Sequence, residues 1–559
     1  MIKRIISFAL CCIMTISFSS ISAFARKVEW NEVNTAYKSG SFPLMEKLVR
    51  IDESNIIDET IDATYIVNED EIIRTVDNSR MHGYGYETYF MAADNWFEPG
   101  TTELSQGYKE LASRLYEVPV VRFGGVGANK DIMLNRLGEM ANRTGSKKRE
   151  NIEKYEPYVV YREGDPELYD NRAYKVGLKE MYDFVTEINP DAEWIISLPW
   201  FYADNEDIIN ECRFYLDEKD ESEFGALRAS IGIEEPINIL AFELGNELYG
   251  AGSHAPIKTY NPKPVADAFI EDAKEVIKGV KKYHPEAKFS VCLRGNHQYE
   301  ADPSTYNNWN IWMAEGLGEY VDYASPHVYY SGYEAAYWKF WFYDQYSAFK
   351  NALGEDCNVK FMVTEHGKWQ SKDDSKEVSS HALTGVLAVS AWFNTMYEIP
   401  FIDCANYYCY RNSTWAIVKK EGKNWLIMGI PQMMDVYLKN LGDRVVKSEL
   451  ASNTVYTDKD STAQKLTTVC MAKGDDELIV FLTNRLPYTQ FDIKFDFNDK
   501  YDLVEKTVFT APNMYSFVAN KATQDIFTTT TTTQDIKDFS SFTMPGKSLV
   551  VLKLKKHAN

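Results

Sequence analysis

Eight short β-rich runs alternate with amphipathic helical stretches between residues 83 and 408, and this alternation restricts the fold more than any other feature of the chain. The runs are GYGYETYF (83–90), VPVVRF (118–123), WIISL (194–198), INILAFE (237–243), KFSVCL (288–293), DYASPHV (322–328), VKFMVTE (359–365) and FIDCANYY (401–408). Their near-continuous apolar character suits strands covered on both faces, as parallel sheets require. Between them lie helical segments such as 177–188 and 264–283. In the second, Phe269, Ala273, Val276, Ile277 and Val280 fall on one face at 3.6-residue spacing behind Pro264, a residue suited to a first helical position. Eight strands separated by helices predict an α/β fold with a (β/α)8 TIM barrel over residues 79–435. A doubly wound open sheet would use the same strand type, and the count of eight favours the barrel. The long interval after Phe123 reads as an insertion beside the barrel mouth.

Past residue 435 the pattern changes to alternating strands: 466–472, 477–484, 491–497 and 548–555. These predict an all-β sandwich over 436–559. Six consecutive threonines (528–533), flanked by two copies of TQDI, read as a solvated loop or an edge strand. Within the N-terminal segment 26–78, residues 63–76 are strand-like and are expected to pair with that sandwich.

At the start of the chain, Lys3 and Arg4 precede an apolar run over 5–18, and Ala23-Phe24-Ala25 follows. That order marks residues 1–25 as a secretory signal peptide and predicts an extracellular or periplasmic protein, free of the membrane after cleavage. Losing Lys3 and Arg4 takes the formal charge from −22 to −24. Such acidity argues against binding nucleic acid or an anionic membrane through overall charge. Cys212, Cys292, Cys357, Cys404, Cys409 and Cys470 form no CxxC pair, so core cysteines or at most one or two disulfides are expected. No HExxH or GxSxG motif occurs, and neither a metal nor a cofactor is expected.

Barrel chemistry sits at the C-terminal ends of the strands. The fourth run continues as FELGNELYG, with Asn246 and Glu247 just beyond it, and the seventh ends at Glu365 in FMVTEHGKW. Two glutamates at opposite sides of one mouth are what glycosidic-bond hydrolysis needs, one protonating the leaving oxygen and one facing the anomeric carbon. Arg122, ending the second run, is placed to donate to a carboxylate and favour its charged form. His327 and Tyr329 have the spacing that puts both on one strand face. Glu87, Asn296, His297 and Asn406 are further candidates to bind sugar hydroxyls, and Trp200, Trp369 and Trp415 to stack on sugar faces.

The pieces GYGYE (83–87), VVRFGG (120–125), FELGNE (242–247), SPHVYY (325–330) and VTEHG (363–367) together resemble the clan-A retaining glycoside hydrolases, within them the α-L-arabinofuranosidase and heparanase-like families. The resemblance implies Glu247 as general acid/base and Glu365 as nucleophile. It also implies that Asn246 binds the sugar hydroxyl next to the anomeric carbon. The substrate it implies is a polysaccharide or oligosaccharide, with α-L-arabinofuranosides first and a heparanase-like β-glucuronide second. A non-catalytic carbohydrate-binding protein on the same barrel is the alternative of another class.

Overall fold

The computed structural model describes residues 27–76, 79–86, 96–98, 101–125, 132–138, 152–155, 176–249, 263–294, 303–330, 335–369, 376–410, 415–422, 424–451 and 465–557. Residues 1–26 and most of the interval after Phe123 lie outside them. Eight parallel strands close into a barrel: Gly83–Tyr86, Val120–Phe123, Glu193–Ser197, Ile239–Glu243, Phe289–Leu293, Tyr323–Tyr330, Lys360–Lys368 and Ile402–Tyr407. Closure is made by Gly83 and Tyr84 of the first strand, in register with Asn406 and Tyr407 of the eighth. Nearly every strand residue is buried because helices cover the outside while side chains fill the inside. One interior layer comprises Val120, Ile195, Leu240, Ala241, Tyr323, Met362 and Cys404. The helix Lys263–Lys281 buries all five residues of its predicted apolar face.

At the strand-start end of the barrel, Arg80 makes two bonds to Glu193 at 2.5 and 2.6 Å and one to Asp403 at 3.3 Å. Asp403 also takes Lys360 at 3.0 Å and the Tyr323 hydroxyl at 3.2 Å. Removing one partner from a largely buried ionic cluster strands the others, so Arg80→Met should destabilise the protein by about 3 kcal/mol. Denaturant unfolding tests this; a change under about 0.5 kcal/mol, the scale of a neutral surface substitution, would reject it.

The C-terminal sandwich is one hydrogen-bonded sheet of nine strands in the order Thr528–Ile536, Tyr501–Thr510, Ser548–Lys556, Glu477–Asn484, Leu466–Lys473, Arg444–Leu450, Glu59–Thr75, Thr489–Phe497, Ser541–Met544. The N-terminal strand Glu59–Thr75 lies within it, antiparallel to Arg444–Leu450 and parallel to Thr489–Phe497. One core cluster takes residues from both halves of the sheet, including Phe491, Ile493, Leu503 and Leu552, so the sheet folds over itself. Its other face shares a core with the barrel through the helix Leu383–Tyr397, buried at every position but Thr384. That junction also carries polar bonds from Asn394 to Thr467 and Thr483. The threonine tract is an edge strand, exposed along almost its whole length. All six cysteines after residue 25 are free thiols. No helix among the described residues is long and apolar enough to cross a membrane.

Candidate active site

Four strand ends supply the polar centre of the barrel mouth. Arg122, fully buried on the second strand, donates from Nη1 to Glu365 Oε1 at 2.7 Å. Its Nη2 donates to Asn246 Oδ1 at 2.6 Å. A guanidinium only donates, so the Asn246 oxygen must face it and the amide NH2 points elsewhere. Gly124 makes this arrangement possible, because a Cβ there would sit 2.1 Å from Arg122 Cζ.

Glu247 follows a backbone reversal in which Gly245 has φ +80° and Glu247 itself φ +51°. A non-glycine residue in the left-handed region is strained by roughly 1–2 kcal/mol, and such strain concentrates at functional sites. The turn brings Glu247 Oε1 to 2.8 Å from His327 Nδ1. Glu365 Oε2 accepts from the Tyr329 hydroxyl at 2.7 Å and lies 3.5 Å from the same His327 nitrogen. Glu247, His327 and Glu365 each offer one donor atom within 4.8 Å of the others. These are the residues that could hold a cation together, and the Arg122 guanidinium bonded to Glu365 already places one positive charge beside them.

His327 is buried, which by itself would keep its ring neutral; Glu365, Glu243 and Glu247 outweigh that and raise its pKa to about 10. The ring is therefore an imidazolium at neutral pH. Against an unfolded value near 6.5, this contributes stability that is complete below about pH 6.5 and lost as pH rises through about 10. Unfolding free energies of wild type and His327→Gln should converge over that interval. A gap between them that stays constant from pH 6 to 10 would reject the charged ring.

Glu243 escaped the sequence reading because it is the last residue of the fourth strand, ILAFE, rather than beyond it where Asn246 and Glu247 stand. It is fully buried, and Arg122 donates to its Oε2 from Nε at 2.8 Å and from Nη2 at 2.5 Å. Burial would raise its pKa, but Arg122, His327 and Thr364 bring it down to about 2. The signal was present in the sequence: an arginine in VVRF and a glutamate in ILAFE, each within a strand covered on both faces, have to pair. Arg294, after the fifth strand, was also passed over. It is partly buried over the Tyr249 ring, and burial depresses its pKa to about 10 against the pull of Tyr249 and Glu247.

Beside Tyr329 stand Trp369 and Trp415, with ring centroids 5.7 and 5.1 Å away, and Trp369 is 42% exposed at the mouth. Two other candidates are packing residues. Trp200 is wholly buried against Phe269 and bonded to the Tyr155 hydroxyl, because the segment after the third strand turns inward. Asn406 is spent on the first strand, bonding the Tyr84 carbonyl at 3.5 Å across the barrel closure. Glu87, Asn296 and His297 lie outside the described residues.

Solved structures with the same architecture include several α-L-arabinofuranosidases and a bifunctional glucanase-xylanase. The α-L-arabinofuranosidase of Thermotoga maritima, in complex with arabinose, superposes with a TM-score of 0.68 at 17% identity, over 88% of this chain and 100% of that one. The family 51 enzyme of Bifidobacterium longum gives 0.70 at 13% identity, over 89% and 100%. The chain has the fold of the family 51 α-L-arabinofuranosidases. In sequence, an intracellular exo-α-(1→5)-L-arabinofuranosidase of Halalkalibacterium halodurans is 23% identical over 280 residues, 48% of this chain and 49% of that protein. One from Acetivibrio thermocellus is 24% identical over 162 residues, 29% of each chain. The chain thus spans at most about half the length of the curated relatives it matches. No protein family model matches it.

Proposed function

We propose that the protein is a secreted retaining glycoside hydrolase that releases α-L-arabinofuranosyl residues from polysaccharides or oligosaccharides. The observation that carries this reading is the approach of one Glu247 oxygen to within 4.8 Å of one Glu365 oxygen in a buried barrel mouth. Retaining enzymes hold their carboxyls about 5–5.5 Å apart, whereas inverting ones leave about 6.5–9.5 Å for a water molecule.

In this mechanism Glu365 attacks the anomeric carbon while Glu247 gives its proton to the departing oxygen, leaving a glycosyl ester on Glu365. Glu247 then takes a proton from water, which attacks the same carbon and frees Glu365. Arg122 and Tyr329 each hold one oxygen of Glu365, so the attacking carboxylate is already oriented when the sugar arrives. A sugar in the mouth would meet the Asn246 amide with a hydroxyl and the partly exposed Trp369 ring with its face.

Arg294 favours a second reading, a uronic-acid glycoside, because a guanidinium near Glu247 is suited to a sugar carboxylate. Secretion rests on the signal segment 1–25, and it separates this chain from the relatives whose names include "intracellular". The deciding experiment follows product stereochemistry by NMR on aryl α-L-arabinofuranosides and aryl β-glucuronides. First-formed product with the anomeric configuration of the substrate supports the mechanism, and the glycoside that turns over names the sugar. An inverted product would reject it. Mass analysis of protein from the culture medium should show a chain beginning at Arg26.

A further inference from the structure

We propose that Glu243 is a positioning residue that acts through Arg122, its negative charge balancing the two cations that press on the attacking carboxylate. The inference rests on the glycosidase reading of the site.

Arg122 lies between two carboxylates from different strands, and the one it grips with two N–H groups is Glu243, not Glu365. The other Glu243 oxygen accepts the Thr364 hydroxyl at 2.7 Å. Thr364 immediately precedes Glu365, and the two can both face the barrel axis because strand pairing slips between Val363 and His366. Glu243 therefore fixes the arginine that holds Glu365 and, separately, the backbone position from which Glu365 extends. Fully buried itself, it has no path to the sugar.

Charge gives this contact a consequence beyond geometry. Two cations touch Glu365: Arg122 at 2.7 Å and His327 at 3.5 Å. Glu243 is the counter-charge, lying 3.9 Å from His327 Nε2 as well as against Arg122. Asn246 and Thr364 are neutral, and the Cys292 thiol on the fifth strand is pushed up to about 12 by burial and stays protonated. Among the described residues, Glu247 and Glu365 are the other two carboxylates facing this cluster. Take Glu243 away and the mouth gains a full positive charge next to a sugar ring that becomes positive in the transition state, while Glu365 is held more tightly in its resting form.

The test is Glu243→Gln, which keeps the shape and removes the charge. In histidine-labelled protein followed by NMR, the His327 ring should release its proton about one pH unit lower than in wild type. The kcat/KM profile should slide toward lower pH on both limbs, because each remaining acid ionises more readily. The kcat should fall about tenfold or more with KM within about threefold. Thr364→Val, which cuts the second bond without altering charge, should leave the profile where it is.

A folded Glu243→Gln protein with unmoved His327 titration and unmoved limbs would overturn the proposal. Should that variant not fold, Glu243→Asp keeps the charge and should lower kcat while leaving the His327 titration in place. Movement of the titration in the Asp variant would count against the proposal. The NMR readout does not depend on turnover. A wild type that cleaves no glycoside, alongside a shifted His327 in Glu243→Gln, would reject the reaction but keep the charge-balancing role.

Discussion

Glu365→Gln is expected to lower kcat by at least ~10⁴-fold on every substrate that the wild type cleaves, because in the proposed mechanism Glu365 forms the covalent intermediate. The fold should survive. Arg122 keeps its bonds to Glu243 and Asn246, and a glutamine oxygen can still accept from Arg122 or Tyr329. Thermal unfolding of the variant should therefore stay close to wild type while steady-state hydrolysis disappears. A complementary result is expected with Glu365→Ala. The space left by the carboxylate admits azide, and added azide should restore turnover and give a glycosyl azide of inverted configuration. Loss of activity smaller than about tenfold in Glu365→Gln would remove Glu365 from the attacking role, since an electrostatic contribution alone would account for it.

Glu247→Gln should show a different pattern, set by the leaving group. With natural oligosaccharides, whose leaving alkoxide needs a proton, the rate should fall by ~10²–10⁴-fold. With a dinitrophenyl glycoside, which departs without protonation, the first chemical step should be nearly unaffected and the glycosyl-enzyme should accumulate, visible as a burst followed by slow release. The alkaline limb of the pH profile, which reports loss of the transferable proton, should vanish. Glutamine is the appropriate replacement because position 247 has φ +51° and any change of side-chain bulk there also perturbs the strained turn. An equal fall on both substrate types would show that Glu247 does not transfer the proton.

The barrel was legible because each strand is a short apolar run between helical segments, and burial on two faces leaves no room for a weaker pattern. The fourth run, expected over 237–243, forms Ile239–Glu243, and the seventh, expected over 359–365, forms Lys360–Lys368. Glu477–Asn484 has the bounds expected of it. Strand Tyr501–Thr510 was missed because only alternate residues are buried there, and Asp502, Glu505 and Lys506 interrupt any apolar run. Edge and near-edge strands carry half the hydrophobic signal of barrel strands for that reason.

The site divides along the same line. Glu247 and Glu365 were found because the sequence places them at or just beyond the ends of the fourth and seventh apolar runs, whose number in the barrel sets where they emerge. Trp200 and Asn406 stand at strand ends too, yet the structure turns them into the core. Position along a strand does not say whether a side chain at its end faces the mouth or the packing layer.

What the sequence by itself determined is therefore the order of elements, the barrel that follows from it and the two glutamates that face each other across the mouth. All three come from periodicity and spacing, which are properties of neighbouring residues. Only the tertiary structure decided that Arg122 is shared between Glu243 and Glu365, that His327 is held as a cation among three carboxylates, and that Glu247 and Glu365 approach within 4.8 Å. These depend on distances between residues far apart in the chain, and the free energy of a buried charge is fixed by those distances and by exclusion of water rather than by anything written in the local sequence.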